Sequence, residues 1–492
     1  MSYDLRDALA AVCREEGQLV CLDSEVDADA EIAGIYRYLG AGGTCPRPTK
    51  EGPALLCTNI KDFPGARVLI GLLASRKRVG MILGCDHQQL GFVLKDALAK
   101  PIAPVFREEM DAPCQERVLK VDEAGFDIRK ILPAPKNTEE DAGPFITMGI
   151  CYATDPETGE KDATIHRVCL QDWDTMTMSI APGRHIGSIY EKYEKLNRPM
   201  PLSISIGVDP AIPISCGFEA PSTPYGFDEL SVAGGLRGEP VEMVKCKTID
   251  EYAVAHAEFV IEVEVLPHER MAEDINTGTG RALPEFTGYI GLSGPKPILK
   301  IKAVTCRKDP IVQSCIGCSE EHVSLAGLAT EASVLAMTER AMPGKVVNFY
   351  AHPSGCGKYV GVLQYKKSEP SDEGRHRQAG LLALTTFPEL KHVFLVDEDV
   401  DAFDSNDVLW AMATRYQADQ DTVTIPGVRF HRLDPSACPE YNPHIRDTGI
   451  TCKAVYDCTV PFAQKERFKR PDFKQVDMNS YTFRPVRGLD EI

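Results

Sequence analysis

The chain has 492 residues, 43% hydrophobic and 26% charged, the balance of an ordinary globular protein with enough core for two or three domains. A formal net charge of −18 without a Lys/Arg-rich stripe argues against a nucleic-acid partner. No apolar run is long enough to span a membrane, and the opening MSYDLRDALA lacks a signal-peptide core, so a cytoplasmic protein without membrane contact is expected.

Residues 3–18 and 27–39 read as helices, the second with Ile32, Ile35, Tyr36 and Leu39 on one face. The Gly40-Ala-Gly-Gly43 loop is too irregular for a dinucleotide fingerprint. Ala54 to Asn59 and Arg67 to Leu73 read as strands, 86–98 as a helix and 101–114 as a connector, which gives an N-terminal α/β domain over residues 1–115.

From about 116 the texture changes to short alternating strands. Asp162 to His185 reads as a hairpin. Thr164, His166, Val168 and Leu170 alternate with Ile165, Arg167 and Cys169, Gln171 to Asp174 form the connection, and Met176, Met178 and Ile180 follow. The second strand ends at Ala-Pro-Gly, where Arg184 and His185 open a helix striped by Ile186, Ile189, Tyr190, Tyr193 and Leu196. A cation and an imidazole at a helix start suit an anion such as a phosphate; the alternative is a satisfied His and Arg on a sheet edge. Leu202 to Val208, Phe259 to Val265 and Leu299 to Ala303 also alternate, each read as a strand with one buried face. Together they suggest an antiparallel barrel or sandwich.

A helix at 324–342 ends at Pro343. Strands at 345–351, 359–366, 392–397 and 422–426 then alternate with helices at 373–386 and 405–415, and Val393 to Val396 is solidly apolar, as in a parallel strand covered on both faces. The predicted boundaries are 1–115, 116–322, a linker helix 323–343, an α/β domain 344–462, and a polar, Pro-containing arm 463–492 able to pack on another subunit.

Several short motifs carry chemistry in outline. Asp397 to Asp401 resembles a calcium loop, but Ala402 and Val408 stand where an EF-hand needs Gly and Glu. Ser354 to Lys358 resembles a phosphate loop, yet His352 replaces its first Gly and no Ser or Thr follows the Lys. Lys358 in a Gly-flanked turn can still bring its charge close to a substrate. Glu285, in Leu-Pro-Glu-Phe, becomes a competent proton donor if buried, and a solvent-facing turn carboxylate if not. His322 precedes a helix and fits a capping turn, and His431 follows a strand. Among seventeen cysteines the one CxxC, Cys315-Ile-Gly-Cys318, lacks the second pair of a zinc site, so free structural thiols are expected ahead of redox chemistry.

The segments DATIHR (162–167), GRH (183–185), YGFDELSVAGGLRG (225–238), HAEFVIEVEVLP (256–267), PEFTGY (284–289), EEHVSLAGL (320–328) and LVDEDVDAFDSNDVLWAMATR (395–415) together resemble the UbiD family of prenylated-flavin-dependent decarboxylases. GAGGT (40–44), APKNTEEDAGPF (134–145), SGCGK (354–358) and GVRFHRLDPS (427–436) are similar to its gallate and protocatechuate decarboxylase branch. The resemblance implies an α/β (α+β) protein whose central antiparallel split β-barrel binds prenylated FMN between N- and C-terminal α/β domains. It implies Asp162, His185 and Glu229 as ligands of Mn²⁺ or Mg²⁺, leaves room for K⁺, and places Thr164, Ile165, Arg167 and Arg184 along the flavin. The metal ligand typically Asn in the family is Asp162 here. Arg167 and Glu285 match the catalytic set, while the position of its first acid is occupied by Gly280. Because Asp162 and Arg167 are five residues apart, a regular strand points them to opposite faces, so a bend or a cofactor along the strand edge is required.

The implied activity is reversible, non-oxidative decarboxylation of gallate to pyrogallol or protocatechuate to catechol. His322, Lys358 and His431 would contact the ring hydroxyls and Glu285 would donate the proton. Vanillate, 4-hydroxybenzoate or a heteroaromatic acid is the alternative substrate, and a catalytically silent flavin- or metal-binding subunit is the alternative of another class. The implied partners are a small aromatic acid, a flavin prenyltransferase as cofactor supplier, and further copies of the chain as a dimer or hexamer.

Overall fold

The computed structural model describes residues 4–180 and 183–486. Ala181 and Pro182, where the expected hairpin ends, lie outside the described residues, as do the first three residues and the last six of the arm.

The N-terminal sheet has the strand order Leu19–Leu22, Ala54–Cys57, Arg67–Ile70 and Ile311–Ser314, the last running parallel to Arg67–Ile70. The first expected helix is confined to Leu5–Val12, and the next residues form a strand. A helix over Arg76–Leu83, not anticipated, precedes Leu90–Ala99. Its polar start Arg-Lys-Arg hides an apolar face made by Val79, Ile82 and Leu83. The connector at 101–114 contributes a short strand, Val105–Arg107, paired with Glu242–Lys245.

The central sheet has nine strands. Along its main path Val168–Asp172 lies near one end, and Lys161–Ile165 is the strand at the other. Only His166 and Arg167 join these two strands, so the sheet must roll until its distant edges nearly meet. This is the physical content of the expected split barrel. The long strands Phe259–Ala272 and Pro295–Cys306 run antiparallel through its middle, with Met200–Ile206 beside the first. Leu202, Ile204, Ile206, Ile261 and Val263 form its inner core. The opposite face is covered as well, contrary to expectation. Ser203 and Ser205 are buried, and Ser203 donates its hydroxyl hydrogen to the Tyr252 carbonyl at 2.6 Å. Glu262 is fully buried and accepts from the Lys247 and Thr248 amides at 2.8 and 2.6 Å. At Ser203, Ser205 and Glu262 the alternation of polarity therefore records paired polar groups under a second layer, whereas Glu264, Lys300 and Lys302 are half-exposed as a one-sided strand would have them.

The helix Glu320–Ala341 is buried around most of its circumference, which removes the polar stripe a surface helix would show. It connects the barrel to a five-stranded sheet of order Val346–Ala351, Val360–Tyr365, His392–Val396, Ile450–Asp457 and Thr422–Arg429. The strand His392–Val396 is parallel to both neighbours, with Val393, Leu395 and Val396 fully buried. The neighbour Ile450–Asp457 was not anticipated; its Lys453, buried and donating to the Leu384 and Pro388 carbonyls, interrupts the apolar pattern.

Candidate active site

The first expected strand of the hairpin is two strands, Lys161–Ile165 and Val168–Asp172, with His166 and Arg167 in the bend between them. The bend supplies the change of face that Asp162 and Arg167 need. Asp162 lies within the first strand opposite Ala153, while Arg167 turns toward two glutamates. Its Nε and Nη2 donate to Glu273 Oε1 and Oε2 at 2.9 and 3.0 Å, a bidentate fork, and Nη1 donates to Glu285 Oε1.

Glu273, fully buried, follows the strand Phe259–Ala272, and Glu285 follows Arg281–Pro284 with its amide donating to the Tyr289 carbonyl at 2.8 Å. Burial pushes the Glu285 carboxyl up; Arg167 pulls it back and the Glu273 charge pushes it further, so the net direction is above the usual carboxylate range. Gly280 takes a positive φ of 70° in an exposed turn and donates its amide to Asp274 Oδ2 at 2.7 Å, while the second carboxylate on Arg167 comes from Glu273. Nothing in the alternation of Phe259–Ala272 marked Glu273, because it sits one residue beyond the strand.

The five-stranded domain supplies a second cluster. Lys358 Nζ lies 2.7 Å from Glu389 Oε2 and 3.5 Å from Glu219 Oε1. Arg184 pairs with Glu219 and, at 3.2 Å, with Glu389; His431 Nε2 is 3.4 Å from Glu389 Oε1. Burial opposes ionisation of Glu389, but the Lys358, His431 and Arg184 charges outweigh it and hold the carboxyl at about 2. Burial likewise opposes the Lys358 charge, and Glu389 and Glu219 restore it above the usual lysine range. Glu389 carried a signal, since Pro388-Glu389-Leu390 repeats the Pro-Glu-apolar setting that singled out Glu285. Glu219, in Gly-Phe-Glu-Ala-Pro, carried none.

His322 is not merely part of a capping turn. Its Nδ1 donates to the Gly317 carbonyl at 2.8 Å, which leaves Nε2 as the free lone pair, and burial followed by the Lys358 charge pushes its pKa down to about 4. In His431 the ring nitrogen Nδ1 accepts the Leu433 amide at 3.0 Å, so Nε2 carries the hydrogen that faces Glu389. Both imidazoles pack on the Phe286 ring, at centroid distances of 5.5 Å for His322 and 5.0 Å for His431, and Lys358 Nζ lies 5.5 Å from the same centroid. Phe286 adjoins Glu285, so the two clusters meet there.

Asp162, His185 and Glu229 also come together, each offering a ligand atom within 4.8 Å of the others. His185 Nδ1 is 3.5 Å from Asp162 Oδ1 and 3.8 Å from Glu229 Oε1. His185 opens the eleven-residue helix His185–Lys195 with Arg184 as its N-cap, and Glu229 caps Leu230–Arg237. Asp162 Oδ2 is buried with no hydrogen-bond partner, an anionic oxygen that a cation would satisfy. Burial and then the Asp162 charge push the Glu229 carboxyl up, the mark of two acids gathered where a positive charge belongs. The donor set of two carboxylates and one imidazole suits a hard divalent ion. Thr164 and Ile165, half-buried on the same strand as Asp162, lie between this triad and the Arg167 bend.

This chain is similar over nearly its whole length to proteins of known activity. It is 50% identical to the gallate decarboxylase of Lactiplantibacillus plantarum across 96% of this chain and 97% of that protein. Two solved structures of 3,4-dihydroxybenzoic acid decarboxylases superpose with a TM-score of 0.93 at 50% identity, covering 97% of this chain in each case. They come from Enterobacter cloacae, of which 98% is covered, and Klebsiella pneumoniae, of which 99% is covered. The UbiD-class enzyme HmfF of Pelotomaculum thermopropionicum, solved with FMN, superposes at a TM-score of 0.83 and 31% identity over 100% of this chain and 99% of its own. Residues 10–98, 107–320 and 323–458 match in turn the N-terminal, Rift-related and C-terminal domains of 3-octaprenyl-4-hydroxybenzoate carboxy-lyase, and the chain belongs to the UbiD family.

Proposed function

We propose that this protein is a carboxy-lyase that decarboxylates a catechol-type benzoic acid, protocatechuate or gallate, with prenylated FMN and Mn²⁺ or Mg²⁺ bound at the Asp162–His185–Glu229 triad. The observation that carries the reading is the placement of His322, Lys358 and His431 around one benzene ring, that of Phe286, next to the Glu285 carboxyl and the Arg167 guanidinium. An aromatic acid fits such a site with its hydroxyls toward the C-terminal cluster and its carboxylate toward Arg167. The half-similar relatives that act on gallate and 3,4-dihydroxybenzoate support the same choice.

Asp162, His185 and Glu229 would hold the divalent ion and through it the flavin phosphate, with Thr164, Ile165, Arg167 and Arg184 along the cofactor. The prenylated flavin supplies the electron sink for the charge released as CO₂ departs. Arg167, fixed by its fork to Glu273, orients the carboxylate. Lys358 holds positive charge against a developing phenolate, and the free Nε2 of His322 accepts a phenolic proton. Glu285 returns a proton to the ring carbon. Phe286 and Tyr359, with the buried imidazoles, exclude water.

A flavin prenyltransferase would be the cofactor supplier. Exposed apolar side chains on the last segment, Phe473 at 79% and Phe483 at 72%, favour packing on a second copy in a homo-oligomer. No helix among the described residues is long and apolar enough to cross a membrane, which is compatible with the cytoplasm.

The test is protein co-produced with a flavin prenyltransferase. One prenylated FMN and one divalent ion per chain are expected, with turnover of 3,4-dihydroxy- or 3,4,5-trihydroxybenzoate and little of cinnamate. Lys358→Met should keep the flavin spectrum and lose on the order of 10²-fold in turnover. Efficient cinnamate turnover, or full activity of Lys358→Met, refutes the catechol reading. No turnover by the fully loaded wild type supports a silent subunit instead.

A further inference from the structure

The CxxC of the sequence does not pair within itself. Cys315 Sγ lies 3.2 Å from the Ile316 carbonyl and 3.8 Å from Ser319 Oγ, whereas Cys318 Sγ faces Cys45 Sγ at 3.2 Å, 273 residues away in sequence. That separation is below the ordinary contact of two sulfurs and about 1 Å beyond a disulfide bond. The backbones on either side are already joined. The Thr44 amide donates to the Cys318 carbonyl at 2.9 Å, the Glu320 amide donates to the Ala41 carbonyl at 2.7 Å, and a Cβ on Gly43 would lie 2.6 Å from the Ser319 carbonyl carbon. Closing a bond between the sulfurs therefore needs a shift on the order of 1 Å, shared between the two side chains and the backbone at Cys318.

The pair has neighbours both in a cleft and in the site. A cleft of about 970 Å³ opens between the N- and C-terminal sheets, lined by Arg76, Tyr350 and Pro353 and by Gly42 and Glu320, three residues before Cys45 and two after Cys318; the two thiols themselves are buried, 6% and 5% exposed. On the other side the Thr44 hydroxyl donates to the Phe286 carbonyl at 2.7 Å, and Gly317, immediately before Cys318, supplies the carbonyl that orients His322.

We propose that Cys45 and Cys318 are a redox modification site that closes to a disulfide when a small hydroperoxide enters this cleft, and that closure pulls on Gly317 and displaces His322. The hydrogen bond from Cys45 favours the thiolate of Cys318, whose pKa lies below that of an ordinary thiol, while Cys45 is pushed up. Cys318 is thus the attacking sulfur. Its thiolate attacks the terminal oxygen of ROOH, the O–O bond breaks, and RO⁻ leaves and is protonated to ROH, giving a sulfenic acid. The Cys45 sulfur then attacks that sulfur, the S–S bond forms, and the hydroxyl leaves as water with the Cys45 proton. Two thiols lose two electrons and two protons, and ROOH becomes ROH and water.

The bridge does not depend on the reaction assigned above; only its effect on turnover rests on that reading, so the two are measured separately. The full chain is treated with hydrogen peroxide, its remaining thiols are alkylated, and the digest is analysed by mass spectrometry. A Cys45–Cys318 linked peptide should be the principal linked species, lost on dithiothreitol treatment, retained in Cys315→Ser and absent from Cys45→Ser. A Cys315–Cys318 link, sulfinic acid at Cys318 without a link, or two freely alkylated thiols overturns the site. In flavin-loaded enzyme, oxidation should lower turnover of 3,4-dihydroxybenzoate at least fivefold, reversibly, with Cys45→Ser insensitive. Equal turnover of the linked and reduced forms, or the same loss in Cys45→Ser, overturns the coupling to His322.

Discussion

The two charge clusters of the site use much the same residue types and displace a buried carboxyl in opposite directions. Around Arg167 two carboxylates, Glu273 and Glu285, share one guanidinium in a buried place with Lys296 nearby, and burial together with the Glu273 charge raises the Glu285 carboxyl against the pull of both cations. Around Glu389 the balance is reversed. Lys358, Arg184 and the His431 imidazole converge on it, and Glu219 adds another anion, so the Glu389 carboxyl is held at about 2. One cluster can store a proton and the other a fixed field. The difference follows from burial, which dominates at Glu285, and from the closeness of Lys358, His431 and Arg184, which outweighs burial at Glu389. The clusters also differ in support, because the first is built within the central part of the chain (residues 167–285), while the second joins Arg184 and Glu219 to Lys358, Glu389 and His431 of the five-stranded domain.

Removing the stored proton should have the largest effect. Glu285→Gln keeps the shape but cannot transfer a proton, and a loss on the order of 10³-fold in turnover is expected, together with loss of ring-hydrogen exchange of the product in D₂O. Exchange at the wild-type rate would move the donor role to another group, with His322 the next candidate.

Neutralising the hub of the other cluster tests the fixed field. Glu389→Gln leaves Lys358 and Arg184 with only the half-buried Glu219 as counter-ion, so a loss of roughly 30-fold in kcat/KM and about 3 kcal/mol of stability are expected. It should also lower the pKa of His431, because Glu389 is the group that opposes the effect of burial there. An unchanged His431 titration by NMR would show that the contact is not made in solution.

Glu273→Gln sharpens the comparison by removing one carboxylate from the Arg167 cluster. Removing the neighbouring negative charge lowers the Glu285 pKa, so the alkaline limb of the pH–rate profile, where a required acid is lost, should move to lower pH. A fall of about tenfold in turnover at neutral pH is expected to accompany the shift. A profile that keeps its alkaline limb excludes Glu273 as the neighbour that tunes the donor.

The smallest effect concerns stability. His322 has a folded-state pKa of about 4 against an ordinary value of 6.5, so between those limits the unfolded chain binds a proton that the folded chain does not. Its contribution is complete above about pH 6.5 and is lost as pH falls toward 4. Denaturation midpoints measured over this window should therefore decline less in His322→Gln than in the wild type.

The alternation of apolar residues in Phe259–Ala272 and Pro295–Cys306, the solid apolar run of His392–Val396 and the order of helices around it were legible because a buried face imposes its period on local sequence. The strand Ile450–Asp457 was not, since its buried Lys453 is satisfied by carbonyls distant in sequence. Likewise the grouping of Asp162, His185 and Glu229 and of Arg167 with Glu285 was implied by the family resemblance, but Glu273, Glu219 and Glu389 beside them were not.

The sequence by itself determined the elements, the family resemblance and the reactive side chains, because these depend on residue type and short spacing. The tertiary structure alone decided that the chain bends at His166 and Arg167, that Glu273 rather than position 280 faces Arg167, that Glu389 gathers Lys358, Arg184 and His431, and that Cys318 faces Cys45 instead of Cys315. Each of those facts is a contact between residues far apart in the chain, where spacing carries no information and only the packing of sheets and loops brings charge to charge and sulfur to sulfur.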